Sequence, residues 1–331
     1  MSSISSLSMF ISSVSLMQSS ETELQKLAQQ NATGEQSVSL QGYGASAPLI
    51  LNLESAIQQA QSWSSGATQV GTYLTGYNTA LGQLGKDATS LQTTLNEIGT
   101  SDTQSVQGLQ TLIQGLETDV GATLNTQVGN RFIFAGSRYG TAPVVDLTTL
   151  ATPATPTAIT LASGSTTPPT IPDYDTDYAS TTPAGVVASG TPYYGQQQIN
   201  LSATETVSYG VSSDDPAIQQ LVYALKQAEA GAGSTNQATA NQFFANARSA
   251  VTAALNGIAT LTEQNGDVQS QVNDAQTAQT QSVATMQNQL GDLTQVDAAT
   301  VAAQLSALEN QLSGTYKATS TVLGLSLLND I

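Results

Sequence analysis

The sequence contains no cysteine and no histidine. Their absence excludes disulfides, thiol and imidazole chemistry, and zinc sites built from the usual ligands. Basic residues are also scarce, because seven Lys and Arg stand against twenty-four Asp and Glu and give a formal net charge of −17. A chain so poor in cations binds nucleic acid and anionic membranes weakly. We therefore expect neither nucleic acid nor a membrane as a partner.

Long apolar runs are missing as well. No stretch approaches the roughly eighteen uninterrupted apolar residues that predict a transmembrane helix. No Lys or Arg precedes Lys26, so the N-terminal stretch lacks the basic start of a cleavable secretory signal. If the protein leaves the cell, we expect it to use a route that does not read such a signal.

Catalytic and metal-binding patterns are weak. A serine nucleophile has no histidine to activate it, and hydrolysis by a carboxylate pair, which needs only Asp and Glu, would draw on acids scattered over helices and loops. Three acids at Asp173, Asp175 and Asp177 are spaced like a calcium loop, but Tyr178 and Ala184 occupy its glycine and glutamate positions. We predict that the protein is not an enzyme and has no catalytic, cofactor-binding or metal-binding residues. The alternative is an enzyme, an extracellular hydrolase that uses carboxylates.

The clearest positive signal is a heptad pattern between Leu53 and Ile98. Apolar residues alternate at spacings of three and four over about six repeats, which predicts a long coiled-coil-like helix. A second apolar series from Val106 to Val128 predicts another helix, which a short connection would make the antiparallel neighbour of the first. The positions of the first series are Ile57, Ala60, Ala67, Val70, Leu74, Tyr77, Leu81, Leu84, Ala88, Leu91, Leu95 and Ile98.

The middle of the chain changes in character. Eight of the ten prolines lie between Pro143 and Pro192, and short β-type runs such as Ile159–Leu161 and the alternating residues 207–211 predict a loop-rich β domain. Helix resumes at Asp214-Asp215-Pro216, where a capping Asp precedes a Pro at the first helical position.

Both ends of the sequence carry an apolar stripe at helical spacing. Burying one large aliphatic side chain contributes roughly 1.5–3 kcal/mol, whereas fixing the backbone of each residue costs about 1–2 kcal/mol. A few anchors cannot order such a helix alone, so we expect the two stripes to pair and to form the assembly interface. Its predicted residues are Ile4, Leu7, Ile11, Val14, Leu305, Leu308, Leu312, Val322, Leu325, Leu327 and Leu328.

These patterns predict a mainly α protein, an elongated antiparallel helical rod with paired N- and C-terminal helices and a small β-rich inserted domain. The predicted divisions are an N-terminal assembly helix and loop over 1–45, rod helices over 46–139, the β-rich insert over 140–212, returning rod helices over 213–290 and a C-terminal assembly helix over 291–331.

Three stretches of the sequence resemble motifs of a known protein family. Arg131-Phe-Ile-Phe-Ala-Gly-Ser137, Leu312-Ser-Gly-Thr-Tyr316-Lys-Ala318 and Leu325-Ser-Leu-Leu-Asn329 resemble motifs of the flagellin family of bacterial flagellar axial proteins, and within it the hook–filament junction branch most of all. The resemblance covers the helical flanks, roughly 1–138 and 214–331. It departs at Glu35, where the family has a basic residue, and at the closing Asp330-Ile331, where an aromatic residue and Leu are common.

The resemblance implies a structural, self-assembling subunit involved in motility. It implies that the protein is secreted by the flagellar type III system into the extracellular flagellum, with copies of itself, neighbouring axial proteins and an export chaperone as partners. No cofactor is implied. The departures leave two alternatives within the family open, a hook–filament junction protein or a flagellin that forms the filament itself.

Overall fold

Over its described residues, the chain folds into a mainly helical structure with two small sheets, which confirms the predicted fold class. The computed structural model describes residues 2–98, 103–140, 142–144, 146–150, 152–156 and 196–329. Each sheet is an antiparallel pair of short strands, β1 with β2 and β3 with β4. In chain order the elements are α1 (Ser2–Thr33), α2 (Ala47–Glu97), α3 (Thr103–Leu124), β1 (Gln127–Val128), β2 (Arg131–Phe132), β3 (Gln197–Asn200), β4 (Thr206–Tyr209), α4 (Pro216–Gly233), α5 (Gln237–Thr294) and α6 (Ala298–Asn329), with 3₁₀ turns at Leu40–Ser46, Ile133–Arg138 and Leu147–Thr149.

The chain divides into two compact units. One comprises residues 1–60 and 281–331, and the other comprises residues 61–280. Helices α2 and α5 supply residues to both. The predicted division of the chain into five segments stays a prediction.

In the unit of residues 1–60 and 281–331, helix α1 packs against α6. Helix α1 ends at Thr33 because Gly34 adopts a left-handed conformation with φ of 73° and its N–H donates to the Gln30 carbonyl at 2.8 Å. The helical run that we predicted from Asn236 into the C-terminal segment breaks between Thr294 and Ala298. Asp297 caps the new helix by accepting a hydrogen bond from the Ala299 N–H at 3.0 Å.

In the unit of residues 61–280, the predicted seam of α2 is buried at every apolar position from Ala67 to Leu95. From Tyr77 onward, the seam shares a core with apolar residues of α3, α4 and α5. Helix α4 is buried at every position from Ala217 to Ala228. Asp215 caps α4 as predicted, because its carboxylate accepts from the Ala217 N–H at 2.9 Å and Pro216 follows it.

Polar side chains join α2 to α5 along their length. Thr68 accepts a hydrogen bond from Gln276 at 2.8 Å, and Gln92 donates to Thr252 at 3.1 Å. Between them the buried Asn265 donates to the Leu74 carbonyl at 2.9 Å. In these pairs the residue numbers on α2 increase while those of their partners on α5 decrease, so the two helices run antiparallel.

The end of α3 differs from the prediction. The helix stops at Leu124, and Val128 belongs to strand β1 instead of to the helix. The cause is Gly129, whose φ of 63° allows a tight turn that pairs Val128 with Arg131. Helix α3 packs against α4, and the apolar faces of α2, α3 and α4 meet in one core.

The predicted insert is joined to the helices at both of its described margins. The hairpin β3–β4 forms where the alternating residues 207–211 predicted strand, and its residues Leu201, Val207 and Tyr209 pack with α2 and with Val272 of α5. At the other margin, Leu147 lies in the main core. The expected strand at Ile159–Leu161 lies outside the described residues.

Across the residues that the structure describes, none of the helices combines the length and apolarity required to cross a membrane. The same residues contain no group of three or more Asp and Glu arranged to hold a metal ion. The Asp173–Asp177 run lies outside them.

Candidate assembly interface

Helices α1 and α6 meet along stripes of three- and four-residue spacing. On α6, Val301 is buried, and Leu305, Leu308 and Leu312 are half-buried at consecutive stripe positions. On α1, the half-buried or buried positions recur in the same rhythm at Val14, Met17, Leu24 and Leu27. This is the heptad periodicity that two paired helices require.

Two contacts fix the alignment of α1 along α6. Near the end of α1, residues 34–36 pair with residues 294–296: Gln36 N–H donates to the Thr294 carbonyl at 2.7 Å and Val296 N–H to the Gly34 carbonyl at 2.9 Å. Further along, the Tyr316 hydroxyl of α6 donates to the Glu21 carboxylate of α1. The two helices therefore run antiparallel.

Few charges lie on this pair of helices. The carboxylate of Glu21 raises the pKa of Tyr316 by accepting its proton in a hydrogen bond. An exposed ion pair joins Lys26 to Glu23 on α1 at 3.4 Å, and such pairs contribute little to stability. Apolar contact rather than charge therefore dominates the interface.

The structure places the predicted interface residues in two groups. Val14, Leu305, Leu308 and Leu312 lie on the paired stripes, whereas Ile11 is 59% exposed. The side chains of Ile4, Leu7, Val322, Leu325, Leu327 and Leu328 lie outside those that the structure describes, although their backbones are helical.

Further residues of the pairing were not among the predicted interface residues. The same spacing continues at Met17, Leu24, Leu27 and Val301, so these residues could have been predicted from the sequence. The hydrogen bond between Glu21 and Tyr316 had no such signal, because nothing in the sequence relates two polar residues on different helices.

Further apolar side chains of this unit remain exposed. Residues 36–53 carry no charged side chain, and they form a loop and the first turns of α2. The loop is held by its own hydrogen bonds, including one from the Tyr43 hydroxyl to the Ser37 carbonyl at 2.6 Å. The large aliphatic side chains that are exposed in this unit are those of Ile11, Leu16, Val38, Leu40, Leu49 and Leu51.

The aromatic-rich motif that begins at Arg131 has a structural role in the unit of residues 61–280. The Arg131 guanidinium lies 4.9 Å from the centre of the Tyr73 ring and 4.3 Å from that of Tyr139, a stabilising cation–π arrangement. Phe134 packs edge-on against Tyr77 with ring centres 5.5 Å apart. The Tyr77 hydroxyl donates to the Ile133 carbonyl, and burial raises its pKa.

Comparison with known proteins gives a result for structure alone. No protein-family model matches the sequence, and no curated protein matches it. A solved structure of a Vibrio parahaemolyticus protein described as flagellar hook-associated matches with a TM-score of 0.56 and 12% identity over 75% of this chain and 97% of that chain. The two chains share a fold. A Bacillus cereus protein named FlgL matches with a TM-score of 0.47 and 13% identity over 73% of this chain and 98% of that chain.

Proposed function

We propose that this protein is a structural, non-enzymatic subunit of the bacterial flagellum, an axial protein that assembles through α1 and α6. The observation that carries the proposal is the paired stripe of these helices, found in a chain that shares its fold with a protein described as flagellar hook-associated. The motifs around Arg131 and Tyr316 point the same way.

The burial of the stripes supports assembly. Their residues Leu305, Leu308 and Leu312 are only half-buried, so each contributes less than the roughly 1.5–3 kcal/mol of a fully buried side chain. Neighbouring copies would complete that burial. The uncharged residues 36–53 and the exposed Ile11 and Leu16 offer further contact surface, and a surface free of charge suits copies whose net charge of −17 would otherwise repel.

At a finer level, we propose a hook–filament junction protein, with a filament-forming flagellin as the alternative. The proposed partners are copies of itself and neighbouring flagellar axial proteins, with an export chaperone before assembly. The proposed location is the extracellular flagellum, reached through the flagellar type III system.

Electron microscopy of the purified protein at rising concentration distinguishes the alternatives. The measurement is best made near about 0.15 M salt, where charge repulsion is screened beyond about 8 Å. Long filaments would favour flagellin, and short caps or rings would favour the junction protein. A monomer at every concentration that also fails to restore motility to a strain lacking the gene would refute the flagellar proposal and favour the hydrolase.

The assembly role of α6 is tested by Leu308→Asp with Ser306→Asp as its matched control. Leu308 lies on the half-buried stripe and Ser306 is exposed two residues earlier on the same helix. We expect Leu308→Asp to abolish incorporation into flagella, because an unpaired carboxylate would be buried, while the melting temperature of the unit of residues 61–280 stays nearly unchanged. Ser306→Asp should assemble normally. Normal assembly of Leu308→Asp, or unfolding of the whole monomer, would contradict the mechanism.

A further inference from the structure

Three charged side chains meet inside the unit of residues 61–280, where α4 packs against α3. The Lys226 ammonium of α4 lies 2.9 Å from a carboxylate oxygen of Glu117 on α3 and 2.9 Å from one of Glu229 on α4. The side chains of Lys226 and Glu117 are fully buried, and that of Glu229 is 15% exposed. We call these three residues the α3–α4 charge cluster.

The cluster has two carboxylates for one ammonium. Burial makes each charged form costly, and a single cation offsets only one of the two negative charges. Within the described part of the chain, Lys226 and Glu229 are the charged groups that act on Glu117, and Asp146 also lies within the field of Lys226. Helix α5 packs apolar residues such as Phe244 and Val251 into the same core.

We propose that the α3–α4 charge cluster is a pH-sensitive contact, which is firm while the cluster holds one proton and weakens when that proton leaves. In the protonated state, Lys226 and Glu229 neutralise each other and Glu117 is an uncharged acid. In the deprotonated state, a net negative charge remains among fully buried side chains, and separation of α3 from α4 is the simplest way to hydrate it.

Physiological pH falls within the range of this change. Burial raises the pKa of Glu117 from its ordinary 4.5 to about 7, against the opposing attraction of Lys226. Because the folded protein holds this proton more tightly than the unfolded chain does, the stabilisation is complete below pH 4.5 and is lost as the pH rises through about 7. Histidine, the residue that ordinarily titrates in this range, is absent from the chain.

Equilibrium urea unfolding of the full chain at several pH values tests the proposal. Between about pH 5.5 and about pH 8 we expect the folding equilibrium constant of the wild type to fall roughly thirtyfold. Glu117→Gln keeps the size of the side chain and removes its titration, so most of that fall should disappear. Asp119→Asn, an exposed change two residues along α3, is the matched control and should keep the wild-type fall.

Amide hydrogen exchange locates the effect without a variant. Once intrinsic exchange rates are corrected for pH, protection in α3 and α4 should decrease as the pH rises, whereas protection in α2 around Leu74 should not. A wild type whose stability is constant over this range would overturn the proposal. So would a Glu117→Gln variant that keeps the full pH dependence, or a loss of protection spread evenly over the four helices.

Discussion

At the scale of single residues, the core of the unit of residues 61–280 depends on side chains at the heptad positions of α2. Leu84 and Leu91 are both fully buried in it. We expect Leu84→Ala and Leu91→Ala each to lower the free energy of unfolding by about 2–5 kcal/mol, because each leaves a cavity in a packed core. Urea unfolding followed by circular dichroism measures the loss.

Thr93→Ala is the control for these two changes. Thr93 is exposed on the same helix and its hydroxyl bonds only to the carbonyl of Thr89 one turn earlier. Its replacement should change stability by less than about 0.5 kcal/mol. Leucine variants as stable as this control would show that the seam of α2 is not a core element.

Apolar residues could be assigned from the sequence and buried polar residues could not. The spacing of three and four identifies Leu84 and Leu91 because it encodes one helix face. Lys226 and Asn265 are buried as well, but a polar residue in a predicted helix is ordinarily assigned to the solvent-exposed face. Their burial depends on partners such as Glu117 that lie more than a hundred residues away in the chain.

Arg248 illustrates the same limit. Its guanidinium reaches from α5 to donate to the Leu95 carbonyl at 2.9 Å, and so satisfies the last turn of α2. Seven Lys and Arg in the whole chain made each of them notable, yet the sequence alone indicated no partner for this one. Only the antiparallel alignment of α2 and α5 brings the two ends together.

At the scale of elements, the β-rich segment has margins that belong to the helical core. Leu147 and Leu201 are almost completely buried. Leu147 lies in the main core, whereas Leu201 and Val207 pack with α2 and with Val272 of α5. These margins of the predicted insert therefore share the core of the helices. The reason is that short strands bury too little surface by themselves and use the helices as their second layer.

Two deletions separate the margins from the middle. Replacing 157–195 with a long Gly/Ser linker retains Leu147, Leu201 and Val207, and we expect the melting temperature and the helical circular-dichroism signal to stay close to those of the wild type. Replacing 145–208 removes all three, and we expect a lower melting temperature because their core contacts are lost. Equal effects of the two deletions would contradict this assignment.

Helix boundaries followed local chemistry where that chemistry was visible. The Asp215-Pro216 start of α4 was predicted correctly, since the cap and the proline act within one turn. The early end of α3 and the break before Ala298 were missed. At both places a turn interrupts the helix, but the helical spacing of apolar residues continues through the turn in the sequence. Periodicity alone therefore predicted a longer helix.

At the scale of the whole molecule, α1 and α6 depend on each other more than the helices of residues 61–280 depend on any single partner. Their stripes are half-buried, whereas the seam of α2 from Ala67 to Leu95 is buried. In the free monomer we therefore expect limited proteolysis to cut first within α1 and α6 and to leave a core that starts near residue 45. Mass spectrometry of a digestion time course identifies the fragments.

Assembled protein provides the comparison. If neighbouring copies complete the burial of α1 and α6, the same protease should leave both helices intact in the assembled state. First cuts inside α2 or α5 of the monomer, or equal cleavage of monomer and assembly, would contradict the proposed order of stability.

The amide pairing between α2 and α5 decides which of several equivalent alignments the two helices adopt. An apolar seam that repeats every seven residues can slide by one repeat and bury a similar set of leucines and valines. In the observed alignment Asn265 donates to the Asn78 side chain at 2.7 Å, but one repeat in either direction from Asn78 lies a glycine, Gly71 or Gly85. A slipped pair would present no side chain there to accept the amide. The apolar seam therefore supplies the stability of this pair, while Asn265 and the other polar pairs between the two helices select its alignment.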